Sequence, residues 1–93
     1  MTNKNGNDGS YLKCGTHGRQ RETFVCHHIV ESIAAGESVG FFWGIEDGVH
    51  EALCEACNSL SADAFAEQAQ SLIQPLCYGC FREAGALNGV VID

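Results

Sequence analysis

A chain of 93 residues has room for one domain, and one this short buries only about 60–65% of the surface its unfolded form exposes, too little for apolar burial alone to hold it comfortably folded. Five Lys and Arg against twelve Asp and Glu leave a formal charge of −7, which repels phosphate backbones and makes nucleic acid an unlikely partner. No run approaches the ~20 apolar residues of a membrane span.

Residues 1–11 are rich in Asn and Gly, lack periodicity and read as a disordered leader. The folded domain is expected over residues 12–87, with residues 88–93 as a C-terminal tail. The leader has no apolar core of the secretory kind, so a reducing cytoplasm is the expected compartment. Residues 21–30 are β-branched and aromatic and predict a strand. Its alternation puts Thr23, Val25 and His27 on one face and Phe24, Cys26, His28 and Val30 on the other. One helical turn is expected at 31–35. Residues 39–45 predict a second strand, ended by the turn signal Glu46-Asp47-Gly48 and paired antiparallel with the first, with Gly44 as a bulge. Within it Phe42 faces one way and Phe41 and Trp43 the other, one side packing in the core and the other free for a partner. His50, in a Gly/Glu-rich stretch, is expected at the surface.

Residues 61–74 carry Ala62, Phe65, Ala66, Ala69, Leu72 and Ile73 at helical spacing. Ser61 can cap this helix, Asp63 suits its first turn and Pro75 ends it. A short helix is expected over 80–84, and Val90 to Ile92 could add an edge strand.

The chemistry lies in four couplets: Cys14-x2-His17, Cys26-x-His28, Cys54-x2-Cys57 and Cys77-x2-Cys80, which use all six cysteines. Eight N and S ligands supply two tetrahedral Zn²⁺ ions, and a two-residue spacer lets both members of a couplet reach one ion across a tight turn. Structural zinc contributes an apparent ~10–16 kcal/mol to the folded state of a small domain, which makes good the thin core. Disulfides are the rival use of six cysteines, but they leave the histidines beside Cys14 and Cys26 unexplained.

Two pairings remain open. Sequential pairing makes a Cys2His2 site from the first two couplets, closed over the eight residues 18–25, and a four-cysteine site from the last two, 19 residues apart. Interleaved pairing joins Cys14 and His17 to Cys54 and Cys57, and Cys26 and His28 to Cys77 and Cys80. A RING arrangement fits poorly, because 25 residues separate the second couplet from the third. His28 is the preferred ligand over His27, because strand alternation turns it the same way as Cys26.

The fold class is therefore a small metal-stabilised α+β domain, a β-hairpin with one long and one short helix around two zinc knuckles, similar to zinc ribbons and treble clefs. Saturated ligand sets leave no open position for water or substrate, so a non-catalytic, protein-binding domain is expected rather than an enzyme. Three alternatives stand behind it. The Cys-x2-Cys thiolates could act as a redox or zinc sensor. A hydrolytic zinc would need Cys26 spare and Glu31 or Glu46 as base. A nucleic-acid-binding ribbon would have to overcome the charge.

Four segments, Cys14 to Gly18, Thr23 to Ile29, Leu53 to Cys57 and Leu76 to Phe81, together resemble a family of small uncharacterised bacterial zinc-binding proteins, with Cys-x2-His-Gly, Phe-Val-Cys-x-His and two Cys-x2-Cys pairs in that order. The resemblance covers residues 14 to about 82. It implies all eight ligands, with His28 rather than His27, and implies no activity.

Overall fold

The computed structural model describes residues 11–92, so the expected leader, apart from Tyr11, lies outside the described residues. The described residues form a small α+β domain of five strands and four helices. In chain order these are β1 (Tyr11–Cys14), β2 (Gly18–Cys26), α1 (His27–Ala35), β3 (Phe42–Glu46), β4 (Val49–Leu53), α2 (Glu55–Asn58), α3 (Ala62–Leu72), β5 (Ile73–Cys77) and α4 (Tyr78–Leu87).

The centre of the architecture is β2. Its first half pairs antiparallel with β1, from Cys14 opposite Gly18 to Tyr11 opposite Arg21. Its second half pairs antiparallel with β5, from Glu22 opposite Cys77 to Cys26 opposite Ile73. On its other edge β4 runs parallel to it, Phe24 beside Glu51 and Val25 beside Ala52. A parallel neighbour needs a crossover connection, and α1 with β3 provides one. The outer edge of the sheet is β3, joined to β4 by a two-residue loop in which Asp47 and Gly48 both have positive φ, the backbone a tight hairpin requires.

Several expectations change here. The first strand stops at Cys26, not Val30, because the chain turns into α1 at His27. The second strand pairs with β4, not with β2. Residues 49–53 and 73–77 are strands that local pattern did not signal: β4 sets His50, Glu51 and Ala52 between Val49 and Leu53, and β5 contains Pro75. Proline is tolerated in β5 because β2 is its only ladder partner among the described residues, which leaves the strand at an edge. Gly44 pairs in register with Glu51 and forms no bulge.

The helix over Ala62–Leu72 starts where expected, with the Ser61 hydroxyl accepting from the Ala64 N–H, but its buried face is narrower. Only Leu72 is fully buried, with Phe65 and Ala69 half-buried and Ala62 and Ala66 exposed. The final helix is longer than 80–84 and runs to Leu87. Beyond it no strand forms at 90–92; instead Ile92 is buried and its carbonyl accepts from Arg82 Nε at 3.1 Å.

The core gathers Val25, Ile29, Phe41, Ala52, Leu72, Phe81, Ala84 and Ile92 between the sheet and the pair α1 and α4. Phe41 meets Phe81 edge to face, with centroids 5.0 Å apart. Asn88 ties the loop before β3 to α4: its Oδ1 accepts from the Gly40 N–H and the Ser38 hydroxyl, and its Nδ2 donates to the Ala84 carbonyl. Gly40, at φ 97°, lies so close to Glu55 that an added Cβ would sit 2.7 Å from its backbone nitrogen.

Two candidate metal centres

Three strands end in the same way. Cys26, Cys54 and Cys77 each stand in extended backbone at the residue before a helix, α1, α2 and α4. Cys54 Sγ accepts from the Cys57 N–H and Cys77 Sγ from the Cys80 N–H, so each knuckle is also a helix cap. N–H groups aimed at sulfur favour the thiolate that a metal requires.

Topology decides which couplets meet. Because β4 is parallel to β2, Cys54 arrives at the end of β2 that carries Cys26. Because β5 is antiparallel, Cys77 lies opposite Glu22, four residues and roughly 13 Å back along the strand. There the β1–β2 turn presents Cys14 and His17. The result is one inner group, Cys26, His28, Cys54 and Cys57, and one outer group, Cys14, His17, Cys77 and Cys80, in each of which all ligand atoms lie within 4.8 Å of one another. The pairing is nested, first couplet with last and second with third, and replaces both the sequential and the interleaved arrangements. Each group is three cysteines and one histidine.

The separations test the fit to a metal. An ion held at ~2.3 Å from sulfur and ~2.0–2.1 Å from nitrogen in a tetrahedron puts two sulfurs ~3.8 Å apart and a sulfur and a nitrogen ~3.5 Å apart. In the outer group Cys14 and Cys80 sulfurs are 3.8 Å apart. His17 Nδ1 lies 3.6, 3.3 and 3.5 Å from the sulfurs of Cys14, Cys77 and Cys80. In the inner group His28 Nδ1 lies 3.6 and 3.3 Å from those of Cys54 and Cys57. These are the edges of a metal tetrahedron, and 3.8 Å is far from the ~2.05 Å of a disulfide; all six cysteines are free thiols.

His28 reaches the inner group from the first turn of α1, not from a strand face. His27 turns aside and pairs through Nδ1 with Glu31 Oε2 at 3.0 Å, its ring against that of His28. Glu46 lies on β3, away from either group.

The surroundings of the two groups differ. In the inner one Cys26, Cys54 and Cys57 are buried, and the Cys54 N–H also points at Cys26 Sγ, 3.3 Å away. Burial, then the neighbouring Cys54 and Cys26, pushes the Cys57 thiol up to about 12, so without a cation the Cys57 thiol is held protonated. In the outer one only Cys77 is buried. The backbone N–H groups of His17 and Thr16, with the His17 ring, bring the Cys14 thiol down to about 6, while burial and the facing Cys77 and Cys14 sulfurs push Cys80 up to about 12.

Two residues that motif reasoning passed over serve the outer group. His17 Nε2 meets Glu83 Oε2 at 2.8 Å, and Cys14 first and Glu83 next raise the affinity of His17 for a proton. A carboxylate on the far ring nitrogen orients a metal-binding imidazole and fixes its tautomer. Glu83 sits three residues after Cys80 on α4, a helical spacing that could have drawn attention to it. Gly79 is the other: a Cβ there would stand 2.6 Å from the His17 ring, so only glycine lets the ring lie across the knuckle.

His50 belongs to neither group and is less exposed than expected. It is half-buried in β4, stacked on Trp43 and edge-on to Tyr78 and Phe81. Desolvation, with Arg21 secondary, lowers its proton affinity. Among the described residues no helix is long and apolar enough to cross a membrane.

Comparison of the chain with family models, curated proteins and solved structures yields no match.

Proposed function

We propose that this chain is a non-catalytic domain held by two structural zinc ions, bound by Cys26, His28, Cys54 and Cys57 and by Cys14, His17, Cys77 and Cys80, and that it serves as a protein-binding scaffold. The observation that carries this reading is the spacing of four protein donors along the edges of a tetrahedron in each group. Soft thiolates with one imidazole select zinc among the common divalent ions, and a filled tetrahedron leaves no position for a reacting water. The resemblance to small zinc-binding proteins points the same way. Metal analysis joined to X-ray absorption on the purified chain tests it: two zinc ions per chain and a first shell of sulfur and nitrogen only are expected. A bound oxygen in either shell, or a single ion per chain, would sink the closed-site reading.

A redox-responsive role has one observation in its favour, the part-exposed Cys14 and Cys80 sulfurs 3.8 Å apart. Peroxide could oxidise this pair to a disulfide, itself reduced to water, and release the outer ion. Mild peroxide that frees one zinc ion reversibly, with thiols consumed two per ion, would favour it over a purely structural role.

A further inference from the structure

Beyond the metal centres the least finished part of the surface is β3. It is an outer strand whose only ladder partner among the described residues is β4, so one row of its backbone N–H and C=O groups faces outward. Such edges are ordinarily blunted by lysine, proline or a bulge. This one carries Phe42, Trp43, Gly44, Ile45 and Glu46, with Phe42 51%, Trp43 41% and Ile45 58% exposed.

The two faces of the edge are chemically distinct. Trp43 and Ile45 lie on the face of Ala52 and His50, continuing the core side of the sheet outward past the helices. Phe42, Gly44 and Glu46 lie on the opposite face with Leu53, Glu51 and Val49. On that face a Cβ at Gly44 would meet nothing within 4 Å, leaving open space between Glu46 and Glu51. Neither carboxylate has an ion-pair partner among the described residues. Desolvation and then the charge of Glu46 raise the proton affinity of Glu51.

A second copy of this chain is a poor occupant. Three partly exposed side chains offer on the order of 300 Å² per chain, well under half of the ~800 Å² a stable pair buries from each partner, and two acidic chains repel.

We infer that β3 is a docking edge for an extended segment of another protein, which adds to the sheet with apolar residues over Trp43 and Ile45 and a basic side chain opposite Gly44, between Glu46 and Glu51. Backbone pairing supplies the affinity, and the alternation of apolar and basic residues supplies the selectivity. The inference deepens the scaffold reading and rests on its protein-binding half.

The test uses the zinc-loaded, ¹⁵N-labelled full chain and the synthetic peptide acetyl-Thr-Ile-Arg-Ile-Thr-amide, titrated to about millimolar concentration. Expected are amide shift changes centred on β3, with its outward amides slowed in exchange. Replacing the peptide arginine by glutamate should abolish them, and Glu51→Gln, an exposed substitution, should weaken binding about threefold. Raising salt from about 0.1 M to 1 M shortens the screening length from ~10 to ~3 Å and should weaken binding too. Shifts confined to another face, or none, overturn the assignment of β3. Shifts at β3 that grow with protein concentration and strengthen with salt, with no peptide present, overturn it in favour of a second copy. None of these outcomes touches the metal reading, which is decided by zinc content and ligand type.

Discussion

The inner and outer metal groups share one ligand set, three cysteines and a histidine, and differ in almost everything around it. The inner group is sunk in the core between β2, β4, α1 and α2, with three buried sulfurs, and its histidine lies against the His27 ring. The outer group ties the β1–β2 hairpin to the start of α4 at the margin of the sheet, with three part-exposed ligands and a carboxylate behind its histidine. The same coordination chemistry can thus serve as a nucleus in one place and as a clasp in another. Burial determines what is lost when the ion leaves.

The largest effect should come from breaking one centre at a time. Cys54→Ser removes an inner ligand and part of the core together, and with ~10–16 kcal/mol of metal binding at stake the whole domain should lose its fold, seen as collapse of amide dispersion. Cys14→Ser should release the hairpin while the inner ion and the β2–β4–β5 sheet persist, seen as one zinc retained and local loss of amide protection. Equal collapse in both variants would erase the distinction.

Acid should separate the centres next. Protons compete with the metal for thiolate and imidazole, so affinity falls as pH falls, up to tenfold per pH unit for each proton displaced. Cys14, held at about 6, is already ionised above that pH and adds its own proton only below it. Zinc loss from the outer centre should therefore steepen as pH drops through about 6, followed by a chromophoric chelator.

Smaller changes probe the clasp itself. Gly79→Ala drives a methyl against the His17 ring, and overpacking of this kind costs about 1–3 kcal/mol; the corresponding residue of the inner knuckle, Ala56, already carries a Cβ. Outer zinc affinity should fall with the inner ion retained. Glu83→Ala should weaken the outer ion by about 10- to 100-fold through loss of the hydrogen bond that orients His17, measured by competition with a chelator. His27→Ala should change least, about 1 kcal/mol or less in thermal unfolding, because it removes an exposed pair with Glu31 and a ring contact with His28 but no ligand. A large loss of zinc in that variant would place His27 in the inner shell after all.

What the chain alone determined is local. The ligand inventory, the knuckle spacings, the Ser61 cap and the Asp47-Gly48 turn depend on neighbours within a few residues, and short-range geometry decides them. The α+β class followed from the same evidence. His28 was selected from a strand alternation that does not exist at that point; the first turn of α1 delivers it instead.

Only the tertiary structure decided how the couplets pair. Couplet spacing is the same whichever partner is chosen, and the choice follows from β4 lying parallel and β5 antiparallel to β2. Those strands carry little local signal: β4 mixes Val49 and Leu53 with His50, Glu51 and Ala52, and β5 contains a proline, so their pairing comes from packing beside β2, not from propensity. For the same reason His50 looked like a surface residue and Glu83 like a solvated charge. Their roles depend on which helix end and which strand the folded sheet brings beside them.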